Sequence, residues 1–387
     1  MKHLYTIIFC VLFLFHLSEQ NNSFFVAPSE TNAAYEIDQD DHLVVASEGT
    51  ANGKLFFYIG GTGSTTETYR SISNFAASLG YDVINLSYPN GVPAFSLTNN
   101  LDSLSFRSFR QEICYGTPLS QSVEVDSLNS LNTRAINLLN YLSNNFPSEN
   151  WDSYLLDDNT LNWPAIAIGG HSQGSGHACY FAKFEEVDRV LMFSGPNDFS
   201  SRFSSAAEWL RAPGVTSLNK HFAYLSLLDE VVDFDRQLKN IDGLGIFPAY
   251  DTIHVDISEA PYNNTRCLYT TQPPGLGLIY HNSPVRFSLL NNEVWEYMLA
   301  TPLITSTSAN PIENKIVVYP NPTSSTINID INDGDKIEDI VVHDINGRLV
   351  TLQQSVNADS ITLDFSNLPN GMYFVRLNNQ VVKMIKL

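Results

Sequence analysis

Five short runs between residues 30 and 300 limit what this chain can fold into: 54–59, 82–88, 165–168, 187–193 and 222–228 are apolar with little alternation. A strand with one wet face alternates apolar and polar residues, so runs like these belong to strands buried on both sides. Such strands form a parallel sheet whose crossovers are helices. The intervening sequence supplies the helices. Residues 69–79 form one, and Leu128, Leu131, Ala135, Leu138, Leu142 and Phe146 recur at three- and four-residue steps on one face of a longer one. No period of 20–50 residues repeats, which excludes a solenoid or propeller. The expectation is an α/β domain with a mostly parallel sheet flanked by helices.

The texture changes near residue 305. Residues 305–311, Thr-Ser-Thr-Ser-Ala-Asn-Pro, read as a polar linker ending in a breaker. Beyond it, 316–319, 326–331, 339–344, 360–365, 372–377 and 380–385 read as strands, punctuated by Asn346-Gly347 and Asn370-Gly371. That spacing predicts a small all-β sandwich over 312–387.

The N-terminus reads as an export signal. Lys2 precedes an apolar run over 4–15, and Ser18, Glu19, Gln20 and Asn21 follow, too soon for a membrane span. Residues 1–20 are expected to be cleaved, and no integral membrane segment is expected once they are gone. Cys10 follows the bulky Phe9, unlike a lipoprotein cysteine. Removing it leaves Cys114, Cys179 and Cys267, an odd number that permits at most one bridge and matches no zinc spacing. Lys and Arg number 21 against 41 Asp and Glu, a net charge of −20. That balance excludes a general phosphate-backbone binder and disfavours anionic lipid, since both need cations.

The chemistry concentrates at Gly170-His171-Ser172-Gln173-Gly174, between the run 165–168 and a helical pattern through Tyr180 and Phe184. A sharp strand-to-helix turn needs small residues two before and two after the serine, and it lifts the hydroxyl clear of the sheet. Over roughly residues 30–300 the chain resembles the α/β-hydrolase superfamily. That resemblance implies an eight-stranded, mostly parallel sheet and a Ser–His–acid triad in the order serine, acid, histidine. Asp229, ending the run 222–228, is then the expected acid, with Asp198 after the preceding strand as the alternative. His281 stands in a loop before the apolar helix of Phe287, Leu290, Val294, Trp295 and Met298, where the superfamily keeps its base. His254 reads instead as a strand interior.

The Gly-rich turn Gly60-Gly61-Thr62-Gly63-Ser64 follows the strand 54–59 and is not a P-loop, because no Gly-Lys-Ser/Thr follows. The resemblance makes it one side of an oxyanion hole, with Thr62 or Gly63 as one amide donor and Gln173 as the other. Residues 90–127 and 258–280 are the expected lid and pocket wall. The reading calls for no metal or cofactor.

Residues 312–387 look like the type IX secretion sorting domain of Bacteroidota. The motifs are Val318-Tyr319-Pro320-Asn321-Pro322, Asp344-x-Asn346-Gly347-Arg348, Leu368-Pro369-Asn370-Gly371-Met372-Tyr373 and the closing Lys383-Met384-Ile385-Lys386-Leu387. A sugar-binding sandwich is the alternative for this module. It is disfavoured because 312–387 holds no tryptophan and only Tyr319 and Tyr373 for stacking. The expected organisation is a signal over 1–20, a hydrolase domain over 21–304, a linker over 305–311 and the sorting domain over 312–387. The expected protein reaches the surface or medium through the periplasm, using the type IX machinery. It cleaves an ester, in preference to an amide, through an acyl-enzyme. A hydrolase-like fold retired to binding or adhesion is the alternative, against which the intact Ser172, Asp229 and His281 set argues.

Overall fold

A computed structural model describes residues 22–35, 40–246, 252–275, 278–286, 289–303, 318–330, 340–344, 349–350, 353–356, 360–377 and 380–387. The expected signal at 1–20, the expected linker at 305–311 and the expected Asn346-Gly347 turn lie outside the described residues. The chain divides into two compact units, Met1–Pro302 and Leu303–Leu387.

In the first unit, strands β1 (Ser23–Val26), β2 (His42–Val45), β3 (Leu55–Ile59), β4 (Asp82–Leu86), β5 (Ile166–His171) and β6 (Arg189–Phe193) precede a small hairpin, β7 (Phe199–Ser200) with β8 (Ser205–Ala206). Strands β9 (His221–Ser226), β10 (Thr252–His254) and β11 (Cys267–Thr270) complete the set. Nine of them form one sheet in the order β1-β2-β4-β3-β5-β6-β9-β11-β10. Only β1 with β2 and β2 with β4 pair antiparallel. The resemblance implied eight strands. The ninth, β10, is an edge strand added beyond β11.

All residues of β3, β4, β5, β6 and β9 are buried, as unalternating runs require. The two faces of β3 bury different layers. Leu55, Phe57 and Ile59 join a core with residues of α3 (Ser105–Tyr115), α4 (Leu131–Asn145) and α5 (Gln173–Phe184). Phe56 and Tyr58 face the other way and meet the rings of Tyr81 and Tyr69. That second layer carries α2 (Arg70–Ser78) and α8 (Leu289–Ala300), joined by the edge contact of Phe75 with Trp295. Short helices α1 (Pro28–Thr31) and α6 (Glu208–Arg211) and the longer α7 (Phe234–Leu244) fill the connections. Ser130 caps α4 by accepting from Thr133 N–H, and Leu131, Ala135, Leu138 and Leu142 form its buried stripe. Residues 90–127 are not a detached lid: Phe106, Phe109, Ile113 and Cys114 of α3 belong to the core.

The second unit is a sandwich of two four-stranded antiparallel sheets, built from β12 (Val318–Tyr319), β13 (Thr326–Asp330), β14 (Ile340–Asp344), β15 (Leu349–Val350), β16 (Gln353–Val356), β17 (Ser360–Asp364), β18 (Gly371–Leu377) and β19 (Gln380–Lys386). Ile327, Ile329, Ile361 and Leu363 of one sheet share a core with Val342, Tyr373, Val375 and Met384 of the other. Six strands were expected. The two additional ones, β15 and β16, are short or polar and carry little apolar signal. All three described cysteines are buried.

Several histidines sit in this interior uncharged. Burial pushes His42 down to about 3 and His221 down to about 4, while an unfolded histidine titrates near ~6.5. Below ~6.5 the unfolded chain therefore binds more protons than the folded one, so these groups stabilise the fold above that pH and weaken it below. Thermal melts should be level near neutrality and begin to fall between about pH 6.5 and 5, before most carboxylates titrate. A melting temperature constant down to about pH 5 would show that these side chains are not neutral and buried.

Candidate active site

Ser172 stands where β5 turns into α5, at the C-terminal edge of the sheet. Its backbone has φ 54° and ψ −117°, a left-handed region that costs a non-glycine residue about 1–3 kcal/mol. Its N–H is tied to the carbonyl of Phe193 at 2.8 Å, and Ser175 Oγ donates to its carbonyl at 2.6 Å. The flanking glycines are required by close backbone approach. A methyl on Gly170 would strike the carbonyl of Gly174, and one on Gly174 would strike the carbonyl of Ile59. Ser172 itself is only partly buried, and its Oγ accepts from Asn197 Nδ2 at 3.2 Å.

Asp229 and His281 come from the loops beyond β9 and β11 and meet there. His281 Nδ1 lies 2.6 Å from Asp229 Oδ2, and the Asp229 side chain is wholly buried. The carboxylate also accepts from the N–H groups of Val231 and Val232, each at 2.8 Å, and from Gln237 Nε2 at 3.0 Å. With the proton on Nδ1 given to Asp229, Nε2 of His281 is left as an acceptor. His281 is 5 % exposed, and its ring centroid is 4.8 Å from that of His171, the residue before the serine.

Asp198 has a different set of partners. Its Oδ1 meets Arg110 Nη2 at 2.5 Å, and its Oδ2 accepts from Arg110 Nε at 3.0 Å and Trp209 Nε1 at 2.8 Å. Both side chains are fully buried. Arg110 also donates to the carbonyl of Gln173 at 2.7 Å, so this ion pair braces the start of α5.

The Gly-rich turn lies against the serine. A Cβ added to Gly61 would come within 3.2 Å of Ser172 Cβ. Thr62 Oγ1 donates to Gln173 Oε1 at 2.8 Å, which also accepts from Ala94 N–H at 2.9 Å. Gly63, expected with Thr62 as a candidate donor, gives its N–H to the carbonyl of Asn90 at 3.1 Å. That leaves the N–H groups of Thr62 and Gln173 without an acceptor among the described residues. Gln173 directly follows the serine, and Thr62 directly follows Gly61, the residue of the turn that lies against it.

Other reactive side chains are occupied elsewhere. His254 is the last residue of β10 rather than an interior one, and its Nε2 meets Asp256 Oδ2 at 3.0 Å. His177 lies 3.6 Å from Cys114 Sγ. Burial pushes that thiol up and that imidazole well below its ordinary range, so the pair is neutral. No group of His, Cys, Asp and Glu among the described residues could hold a metal ion. Sequence reasoning passed over Tyr69, Arg110, His171 and Asn197. His171 precedes the serine in the chain, whereas the superfamily's base follows it, and the other three lack any local motif.

The strand order, the crossover helices and the strained turn define this unit as an α/β-hydrolase fold. Residues 317–387 match the family described as the secretion system C-terminal sorting domain, a tail that directs export to the cell surface or the medium. No curated protein matches the chain. Among solved structures, TT1662 from Thermus thermophilus is similar at 12% identity and TM-score 0.32, over 68% of this chain and 94% of that one. Propionate-bound esterase 2 of Thermogutta terrifontis gives 11% and 0.35, covering 73% and 92%. The esterase domain of a Rhodothermus marinus protein gives 11% and 0.34, covering 71% and 97%. Similarities of this size say nothing about substrate.

Removing one partner from a buried ion pair strands the other charge, at a cost of about 3–5 kcal/mol. Asp198→Asn should therefore lower the melting temperature markedly, and Arg110→Met combined with Asp198→Leu should recover much of the loss. Calorimetry on the three proteins checks this, and an unchanged Asp198→Asn melt would mean that the pair is not buried.

Proposed function

We propose that the first unit is a serine hydrolase acting on esters, exported by the type IX machinery through the C-terminal module. The observation that carries this reading is the 2.6 Å contact of His281 with the buried Asp229 side chain, with the His281 ring against that of His171, the residue directly before the serine on its strained turn. Ser172 Oγ attacks the acyl carbonyl while His281 Nε2 takes its proton. Asp229 holds the imidazole in the Nδ1–H form and stabilises the imidazolium. The Asn197 hydrogen bond does not compete, because Asn197 donates to Oγ and leaves the hydroxyl hydrogen for His281. The amides of Thr62 and Gln173 receive the oxyanion. As the ester C–O bond breaks, the His281 imidazolium returns the proton to the departing alcohol. Water, deprotonated by the same imidazole, then attacks the acyl-enzyme and releases the acid and free Ser172.

Exposed Leu227, Leu228 and Val231 flank Asp229, and exposed Leu278 and Ile279 precede His281. Apolar side chains on both loops favour an ester with an apolar acyl part over a charged substrate. In this reading residues 21–304 are the hydrolase, 305–311 the linker, and the preceding segment a cleaved signal.

A fluorophosphonate probe should label the wild type and leave Ser172→Ala unlabelled while that variant melts normally. Asp229→Asn should lower kcat by about 10³–10⁴-fold through loss of tautomer control, with Asp198→Asn far milder in its folded fraction. Labelling of Ser172→Ala at the wild-type rate would refute the nucleophile, and the reverse order of the two aspartates would move the acid to Asp198.

For the tail, a chain ending at Leu303 should fold and hydrolyse ester, yet remain in the periplasm of a host that has the machinery. Efficient release of that shortened chain to the medium would contradict the sorting role.

A further inference from the structure

One buried row of hydrogen bonds joins the two loops that the proposed reaction needs in register. The carbonyl of His281 accepts from Ser194 Oγ at 2.7 Å and lies 3.0 Å from His171 Nε2. A carbonyl can only accept, so His171 carries its hydrogen on Nε2. On the far side of the ring, His171 Nδ1 is 3.1 Å from the Tyr69 hydroxyl. That hydroxyl in turn accepts the N–H of Gly61 at 2.8 Å. Ser64 Oγ gives its own hydrogen to the carbonyl of Gly61 and accepts from the Tyr69 hydroxyl at 3.1 Å, so Ser64 Oγ and His171 Nδ1 share the single tyrosine hydrogen at equal distance. Burial holds His171 well below the ordinary imidazole range, which leaves Nδ1 free as an acceptor for the tyrosine hydrogen.

The two ends of the row are the two sides of the site. Gly61 lies against Ser172 and precedes Thr62, and His281 is the proposed base. We propose that Tyr69 and His171 are positioning residues that fix the distance and direction of the His281 loop relative to the oxyanion turn. This rests on the reading of Ser172, His281 and Thr62 given above. Packing alone does not call for this row: Tyr69 is 1 % exposed and His171 3 %, and apolar side chains of similar volume would fill the space without burying three polar atoms. What hydrogen bonds add over packing is direction. Misplacing a reacting group by about 1 Å can cost on the order of 100-fold in rate.

The test uses the full chain with short-chain p-nitrophenyl esters and a fluorophosphonate. Tyr69→Phe keeps the ring and removes both roles of the hydroxyl. It should stay folded, lose about tenfold or more in kcat with KM little changed, and lose the same factor in the rate of Ser172 labelling. His171→Gln can still donate to the His281 carbonyl and accept from Tyr69, so it should keep most of the activity, whereas His171→Leu should not. Wild-type kcat and labelling rate in Tyr69→Phe, or equal activity in the glutamine and leucine variants, would overturn the proposal. If the position-171 variants do not fold, Tyr69→Phe decides alone. An unlabelled wild type would bring down the triad reading and this proposal together, whereas a labelled wild type with unaffected variants sinks only the positioning row.

Discussion

Everything at this site depends on how closely the start of α5 approaches the end of β3. The carbonyl of Ile59 lies where a side chain on residue 174 would have to be, and the carbonyl of Gly174 lies where one on residue 170 would be. With hydrogen at both positions the helix can begin immediately above the strand, and Ser172 is pushed into its left-handed conformation. That conformation costs energy locally, and it persists because the surrounding backbone over-determines it. The Phe193 carbonyl and the Ser175 hydroxyl grip the residue on either side.

Around the turn, burial is used for direction as much as for cohesion. Arg110 and Asp198 form a fully buried pair, and such pairs contribute little net stability beyond what apolar residues would give. Their geometric effect is clear, since Arg110 fastens the Gln173 carbonyl and thereby the first turn of α5. Asp229 is treated alike: two backbone amides and a glutamine hold it before the histidine does. The amides come from Val231 and Val232, so the short segment after the acid builds the acid's own cradle.

Much of this was legible in the residues. Unalternating apolar runs announced β3, β4, β5, β6 and β9, because burial on both faces leaves no position for a polar side chain. Strands β1, β2 and β11 are not announced in this way, because each is only four residues long and β1, at the sheet edge, is only partly buried. In the tail, turns and alternation located six of eight strands. The serine was legible because its turn demands glycines at fixed spacing, a purely local constraint. Tyr69 and His171 were not, because nothing within a few residues of either reveals that a carbonyl from residue 281 closes over them.

The choice between two carboxylates marks the boundary most clearly. Asp198 and Asp229 each follow an apolar strand, and a linear chain presents them as near equivalents. Only the folded molecule separates them: one meets His281, 52 positions away, and the other meets Arg110, 88 positions away. Gly63 and Thr62 divide in the same manner, because the carbonyl of Asn90 claims one amide and leaves the other. The sequence by itself determined the parallel sheet, the strained serine turn and the terminal β module, since burial periodicity and steric demand act over a few residues. The tertiary structure alone decided that Asp229 and not Asp198 meets His281, that Gly63 and not Thr62 gives its amide to Asn90, and that the rings of His171 and His281 come together. Those pairings depend on where distant loops meet, and a hydrogen bond holds only over about 3 Å.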